Sequence, residues 1–131
     1  MLVVGVDLIE IRRIEGVLSR HGNRFLDRVF TEAERSHCAG RAEALATRWA
    51  AKEAAAKALG TGIGDVRWRD IEVWCDERGK PHLRLHGGAQ ALAQSLGITE
   101  LAVSLAHEGG QAIAFVVGIG HSAAEGSGQE G

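Results

Sequence analysis

The chain has 131 residues, with no tyrosine, one proline, one methionine and two cysteines, and only 5% of it is aromatic. Each scarcity excludes a class of protein. Cys38 and Cys75 show neither metal-ligand spacing nor a repeat. That argues against a small secreted disulfide scaffold and for a reducing, cytoplasmic setting. No stretch approaches the roughly 20 apolar residues that a membrane helix needs. The N-terminal apolar segment is short, lacks a basic flank and contains Asp7, so it reads as neither a signal peptide nor a span. Charge of either sign is not in excess: 15 basic and 17 acidic groups give a net charge of -2. Glu125 and Glu130 lie in the last eleven residues, which hold no Lys or Arg, and without them the two signs balance at 15 each. Any basic patch is therefore local. With so few aromatics, a nucleic-acid partner has little support, and none is expected. Also missing are a Walker A loop, a Gly-x-Gly-x-x-Gly after a strand, a Ser/His/Asp or Cys/His arrangement and an internal repeat.

What is present organises as one α+β domain with a mainly antiparallel sheet packed against a long Ala-rich helix. Residues 2–8 are apolar and β-branched and read as a strand buried on both faces. From Ile9 the pattern turns helical, with Ile11, Ile14, Val17 and Leu18 at helical spacing up to His21-Gly22. Asn23 can cap a short helix through Val29, and Thr31 with Glu34 forms a capping box. The Ala-rich helix runs from about Arg41 to Leu59, with Ala44, Ala51, Ala55 and Ala58 on one side and Trp49, Glu53 and Lys57 in a row on another. Ile71–Cys75 and His82–His86 alternate around a Gly-Lys-Pro turn, which predicts a hairpin. Gly87-Gly88 opens a helix that Gly97 stops. A second hairpin joins 101–105 to 112–117 around Glu108-Gly109-Gly110. The tail from 119 to 131 is Gly, Ser, Ala and Glu and reads as disordered, leaving 1–118 as the domain.

Asp7 is the first candidate for chemistry. An unpaired carboxylate in an apolar strand costs on the order of several kcal/mol, so something compensates it. Either it caps the helix that follows, or it pairs with an Arg, or it holds a cation. Glu53, four residues before Lys57, is either half of a solvated surface pair or a second metal ligand. Two carboxylates from separate elements suit Mg²⁺ that is shared with a phosphate. The loop Gly60-Thr61-Gly62-Ile63-Gly64 either turns the chain at a helix end or offers backbone N–H groups to a phosphate. His82 and His86 share a strand face with Arg84 and are expected to face solvent. His107 ends a strand beside a glycine turn, as a loop histidine or a ligand contact. Arg12, Arg13, Arg20, Arg24 and Arg28 crowd the N-terminal helices around Phe25 and Leu26. That pattern is a solvated face, or a basic surface with an apolar anchor for an acidic protein helix.

Together these segments resemble the holo-acyl-carrier-protein synthases of the phosphopantetheinyl transferase superfamily. The matching pieces are Gly5-Val6-Asp7 with Arg13-Ile14, Phe30-Thr31-Glu32-Ala33-Glu34, Arg48-Trp49-Ala50-Ala51-Lys52-Glu53-Ala54 with Lys57-Ala58, Gly60–Gly64, Asp70-Ile71-Glu72-Val73, Gly79-Lys80-Pro81 and Ser104-Leu105-Ala106-His107. They run from Val4 to about Gly118, and the Trp-Ala-x-Lys-Glu-Ala-x-x-Lys-Ala block is the most specific of them. The turn Glu108-Gly109-Gly110-Gln111 departs from the bulkier residues common in that family.

The resemblance implies transfer of 4′-phosphopantetheine from coenzyme A to a serine hydroxyl of apo acyl carrier protein, for fatty acid biosynthesis, with release of adenosine 3′,5′-bisphosphate. It implies a homotrimer with active sites between subunits. Asp7 and Glu53 correspond to Mg²⁺ ligands, and both are catalytic with Lys57, which adds positive charge near the phosphates. Gly60, Gly62, Gly64 and His107 would line the coenzyme A cleft. Arg13, Arg24, Phe25 and Arg28 would meet the carrier protein. The serine proton would pass to Glu53, Asp7 or a water on the metal. The alternatives are a non-catalytic module of the same fold that binds carrier protein or coenzyme A, and a metal-dependent phosphoanhydride hydrolase.

Overall fold

A computed structural model describes residues 1–121. Strand β1 (Leu2–Glu10) leads into helices α1 (Ile11–His21), α2 (Asn23–Val29), α3 (Glu32–Cys38) and α4 (Ala42–Ala58). A single 3-10 turn, Trp68–Asp70, precedes strands β2 (Ile71–Cys75) and β3 (Pro81–Leu85). Helix α5 (Gly87–Leu96) and strands β4 (Ile98–Glu108) and β5 (Gln111–Gly120) complete the chain order. One sheet is three-stranded, in the order β1-β5-β4, and the hairpin β2-β3 forms a second. The pairings within both sheets are antiparallel, and a lone bridge between Ile63 and Val66 is parallel.

The α+β class, the long Ala-rich helix and both hairpins are as expected. Strand β1 is not buried on both faces within the single chain. Its inner face packs on α4, whereas Leu2, Val4, Val6 and Leu8 are 46–68% exposed. Extended pairing with β5 also carries β1 through Glu10, so Ile9 belongs to the sheet's inner face rather than to α1. Glu10 occupies the position before α1, without a side-chain cap, so Asp7 caps no helix. Asn23 is the first residue of α2, and Gly22, at φ +51°, stands before it. The capping box is realised: the Thr31 hydroxyl accepts from Glu34 N, and the Glu34 carboxylate accepts from Thr31 N.

Helix α4 is the centre of the molecule. The alanines were expected on one face, yet Ala46, Ala50, Ala54 and Ala56 are buried as fully as Ala44, Ala51, Ala55 and Ala58. The helix touches β1, β5, β4, α1, α3 and β2, so nearly every side must be small. A Cβ at Gly5 would collide with the Ala54 carbonyl, which shows how closely α4 lies on β1. Lys52, on the same helix, is fully buried and paired with the equally buried Glu34 at 2.8 Å. Burial pushes the Lys52 ammonium below its ordinary pKa, and the Glu34 carboxylate opposes that shift. No described helix is long and apolar enough to cross a membrane. Cys38 and Cys75 are free thiols. Most of the tail expected to be disordered lies outside the described residues.

Candidate active site

Asp7 lies on the α4 side of β1, opposite Ala114 of β5. Its side chain is 18% exposed. Lys57, in the last turn of α4, reaches back across the strand. Its ammonium donates to the Val6 carbonyl at 2.9 Å and to Asp7 Oδ1 at 3.3 Å. Glu53 stands one turn earlier on the same row of α4. Burial holds the Glu53 carboxyl above its ordinary range, the negative charge of Asp7 raises it further, and Lys57 acts in the opposite direction. The fold therefore brings Asp7, Glu53 and Lys57, which are 46 and 4 residues apart in sequence, into one electrostatic cluster.

The donor set can be tested against Mg²⁺. Two hard carboxylates come from two rigid elements, and their mutual repulsion is what a divalent cation relieves. Among the described residues no group of three His, Cys, Asp or Glu side chains could hold a metal. A cation here would have to fill its remaining positions with water and ligand phosphate oxygens, which is how Mg²⁺ is commonly bound. The residues fit that ion.

Glu53 also borders a cleft of about 600 Å³ lined by Arg28, Ile63, Gly64, Arg67, Trp68 and Arg69, among others. Of the loop glycines, Gly60 closes α4 in a Schellman arrangement: its N–H bonds to Lys57 O, and Thr61 N bonds to Ala56 O. Its φ of +76° favours glycine. The Gly64 N–H bonds to Val66 O. The Gly62 N–H has no protein acceptor among the described residues and remains free for a ligand.

A groove of about 470 Å³ adjoins this cleft, lined by Val17, His21, Arg24, Phe25, Arg28 and the two tryptophans Trp49 and Trp68, with Val29. Arg28 and Trp68 belong to both cavities. Arg24 and Arg28 are exposed. Phe25 is not a projecting anchor as expected: it is 7% exposed and packs on Phe30 and Trp49, so it forms the floor of the groove. Arg13 lies outside the lining, at the end of the helical row Arg13–Val17–His21 that borders it.

His107 is not brought to Glu53. It lines a third cavity, of about 330 Å³, with His37, Arg41, Arg48 and Cys75. An Arg48 guanidinium N–H donates to Cys75 Sγ at 3.3 Å. The expected solvent-facing pair of histidines is only partly so. His82 stacks on Trp74 and bonds Asp76, and His86 bonds Glu72 at 3.0 Å. Arg67, Trp68 and Arg69 carry no periodic signal in the sequence, and neither does the placement of Arg41 and Arg48 on this third cavity. Arg48 was visible only as part of the helix block.

Comparison with known proteins decides what this arrangement belongs to. Residues 3–116 match the model of the 4′-phosphopantetheinyl transferase superfamily. The chain belongs to that superfamily. The holo-[acyl-carrier-protein] synthase of Herpetosiphon aurantiacus is 60% identical over 127 residues, spanning 92% of this chain and 100% of that protein. A crystal structure of the Helicobacter pylori holo-[acyl-carrier-protein] synthase, in complex with coenzyme A, is 32% identical with a TM-score of 0.82, covering 88% of this chain and 99% of that one. The Neisseria meningitidis synthase is 35% identical with a TM-score of 0.81, covering 89% of this chain and 97% of that one. Similarity of this extent to the transferases spans β1 through β5, so the cluster on β1 and α4 lies inside it.

Proposed function

We propose that this chain transfers 4′-phosphopantetheine from coenzyme A to a serine hydroxyl of apo acyl carrier protein, in service of fatty acid synthesis. It is an enzyme, a holo-acyl-carrier-protein synthase. The observation that carries the site reading is the meeting of Asp7, Glu53 and Lys57 beside the cleft that holds Gly64.

In the reaction the serine oxygen bonds to the phosphorus that bears the pantetheine arm. The bond from that phosphorus to the bridging oxygen breaks, adenosine 3′,5′-bisphosphate departs with the electron pair, and the serine proton passes to Glu53, Asp7 or a water. Such a transfer needs positioning and charge neutralisation above all. Asp7 and Glu53 would hold Mg²⁺, which when bound supplies neutralising charge to the pyrophosphate. Lys57 anchors Asp7 and keeps a cationic head at the mouth of the site. The free Gly62 N–H and the Arg67 and Arg69 guanidinium groups offer donors to phosphate oxygens. The groove of Arg24, Phe25 and Arg28, with Arg13 at its border, suits an acidic helix of the carrier protein laid over an apolar floor.

The oligomer is read as a homotrimer. The outer face of the sheet, formed by Leu2, Val4, Val6, Leu8, Ile113, Phe115 and Ile119, is 38–68% exposed in the single chain. A contiguous apolar face of this kind calls for a protein partner. Association there supports a site shared between subunits, in which the cavity of His107, Arg41 and Arg48 meets the nucleotide end of coenzyme A bound at a neighbour's Glu53. The free thiols suit a cytoplasmic setting.

The deciding experiment is mass spectrometry of apo carrier protein incubated with the chain, coenzyme A and Mg²⁺. The carrier is expected to gain one phosphopantetheine. No gain with any of several carrier proteins would reject transfer. Release of adenosine 3′,5′-bisphosphate without carrier protein would point instead to hydrolysis.

A further inference from the structure

Lys52 immediately precedes Glu53 on α4, but its side chain leaves the helix about 100° away and enters the core. It is fully buried, and its ammonium donates three hydrogen bonds: to Glu34 Oε1 at 2.8 Å, to Trp68 O at 3.1 Å and to Ile71 O at 2.5 Å. Those are all the donors an ammonium has. Glu34 is used as completely. Besides Lys52 it accepts from Thr31 N and from Val73 N, each at 2.9 Å. No buried side-chain nitrogen or oxygen among the described residues lacks a partner.

Stability alone is a poor reason for such a pair, because apolar residues of similar volume often serve a core equally well. What the ammonium fixes is a location. The carbonyls of Trp68 and Ile71 bracket the 3-10 turn Trp68–Asp70. Trp68 and Arg69 of that turn, with Arg67 before it, form a wall of the cleft that Glu53 borders. Its Trp68 ring lies 4.3 Å from the Trp49 ring and lines both the Glu53 cleft and the basic groove. The same residue that ties down this wall is bonded through the backbone to Glu53, so one side chain links the wall directly to the helix that carries the carboxylate.

We infer that Lys52 is a positioning residue: it holds the Arg67–Arg69 wall in register with Glu53, so that a carrier protein seated in the groove meets the phosphates held in the cleft. The inference rests on the site reading proposed above.

The test uses two variants of the full chain. Glu34→Gln removes the counter-charge but leaves the Lys52 nitrogen, which has at least two N–H donors in either protonation state, able to hold both carbonyls. It is expected to lose stability yet to keep kcat/KM for carrier protein within about threefold of the parent, since the wall is still held. Lys52→Met with Glu34→Gln removes the grip and leaves no buried charge. It is expected to keep its far-UV circular dichroism, to lose the near-UV signal of the Trp49–Trp68 pair, and to lose kcat/KM on the order of tenfold to a hundredfold. A cycle with Trp68→Ala separates positioning from general softening. If Lys52 acts through the wall, most of its effect disappears once Trp68 is gone.

Three results would overturn the inference: a folded double variant with parental kcat/KM, equal losses in Glu34→Gln and the double variant, or an undiminished Lys52 effect in the Trp68→Ala background. A double variant that fails to fold while Glu34→Gln folds and turns over normally still supports a grip by Lys52 itself. An inactive parent chain would reject the transferase reading separately. The near-UV spectrum then decides the position of the wall, and its retention in the double variant would overturn the inference on its own.

Discussion

At the scale of single residues, the proposed chemistry turns on two carboxylates, of which Asp7 raises the cost of charge on Glu53. Glu53 is held above its ordinary range by burial and by Asp7, so a cation gains by binding there and the fold gains by losing the Glu53 charge. Asp7→Ala and Glu53→Ala are each expected to abolish transfer while leaving the thermal midpoint unchanged or raised. Full turnover in either variant, measured by carrier mass, would remove the metal assignment. Glu72 works in the opposite direction. Burial pushes its carboxyl up, but hydrogen bonds from Thr31 and His86 and the positive charges of His86 and Arg84 outweigh it and leave the pKa lowered. A carboxyl whose folded pKa is depressed stabilises the protein above its unfolded value, about 4.3, and loses that contribution as the pH falls through the folded value. Urea midpoints taken from roughly pH 6 down to pH 3 are therefore expected to fall less steeply in Glu72→Gln than in the parent chain. Identical slopes would show that Glu72 does not contribute to the acid limb.

At the scale of elements, α4 explains why the sequence is so rich in alanine. A helix in contact with six neighbouring elements has no solvent face on most of its length, and only small residues let the backbones approach. The helical period was legible, but which alanines are buried was not, because burial depends on neighbours brought in from β1 and β5. Gly5 is the partner of that approach. Gly5→Ala drives a methyl group into the Ala54 carbonyl, so it is expected to cost about 3 kcal/mol or more, beyond ordinary overpacking. Chemical denaturation would read this directly, and a loss below about 1 kcal/mol would mean that α4 shifts easily. The capping box of α3 was legible in full, because both partners lie within four residues. The three-residue turn Trp68–Asp70 was not, because what holds it in place is Lys52, sixteen residues from Trp68 in sequence.

At the scale of the whole molecule, the proposed assembly rests on the outer sheet face. Val6 and Phe115 face each other across β1 and β5 and are each 46% exposed. A charge placed there cannot be buried between subunits without a large desolvation cost. Phe115→Glu is expected to yield a folded monomer in light scattering, with transfer lost if the site is shared between subunits. A fully active monomer would refute the shared cleft, and a persisting trimer would place the interface elsewhere. The location of His107, in a cavity apart from Glu53 within one chain, belongs to the same question.

The sequence by itself determined the elements and the chemical candidates. Hydrophobic period, capping residues and turn glycines act over a few residues, so they can be read locally. The helix block around Glu53 and the isolated Asp7 were legible for the same reason. The tertiary structure alone decided which candidates meet. It joined Asp7 to Lys57 and Glu53, set Phe25 into a floor, separated His107 from them and buried Lys52 against Glu34. These outcomes depend on desolvation and packing between segments distant in the chain, and neither has a signature in local sequence.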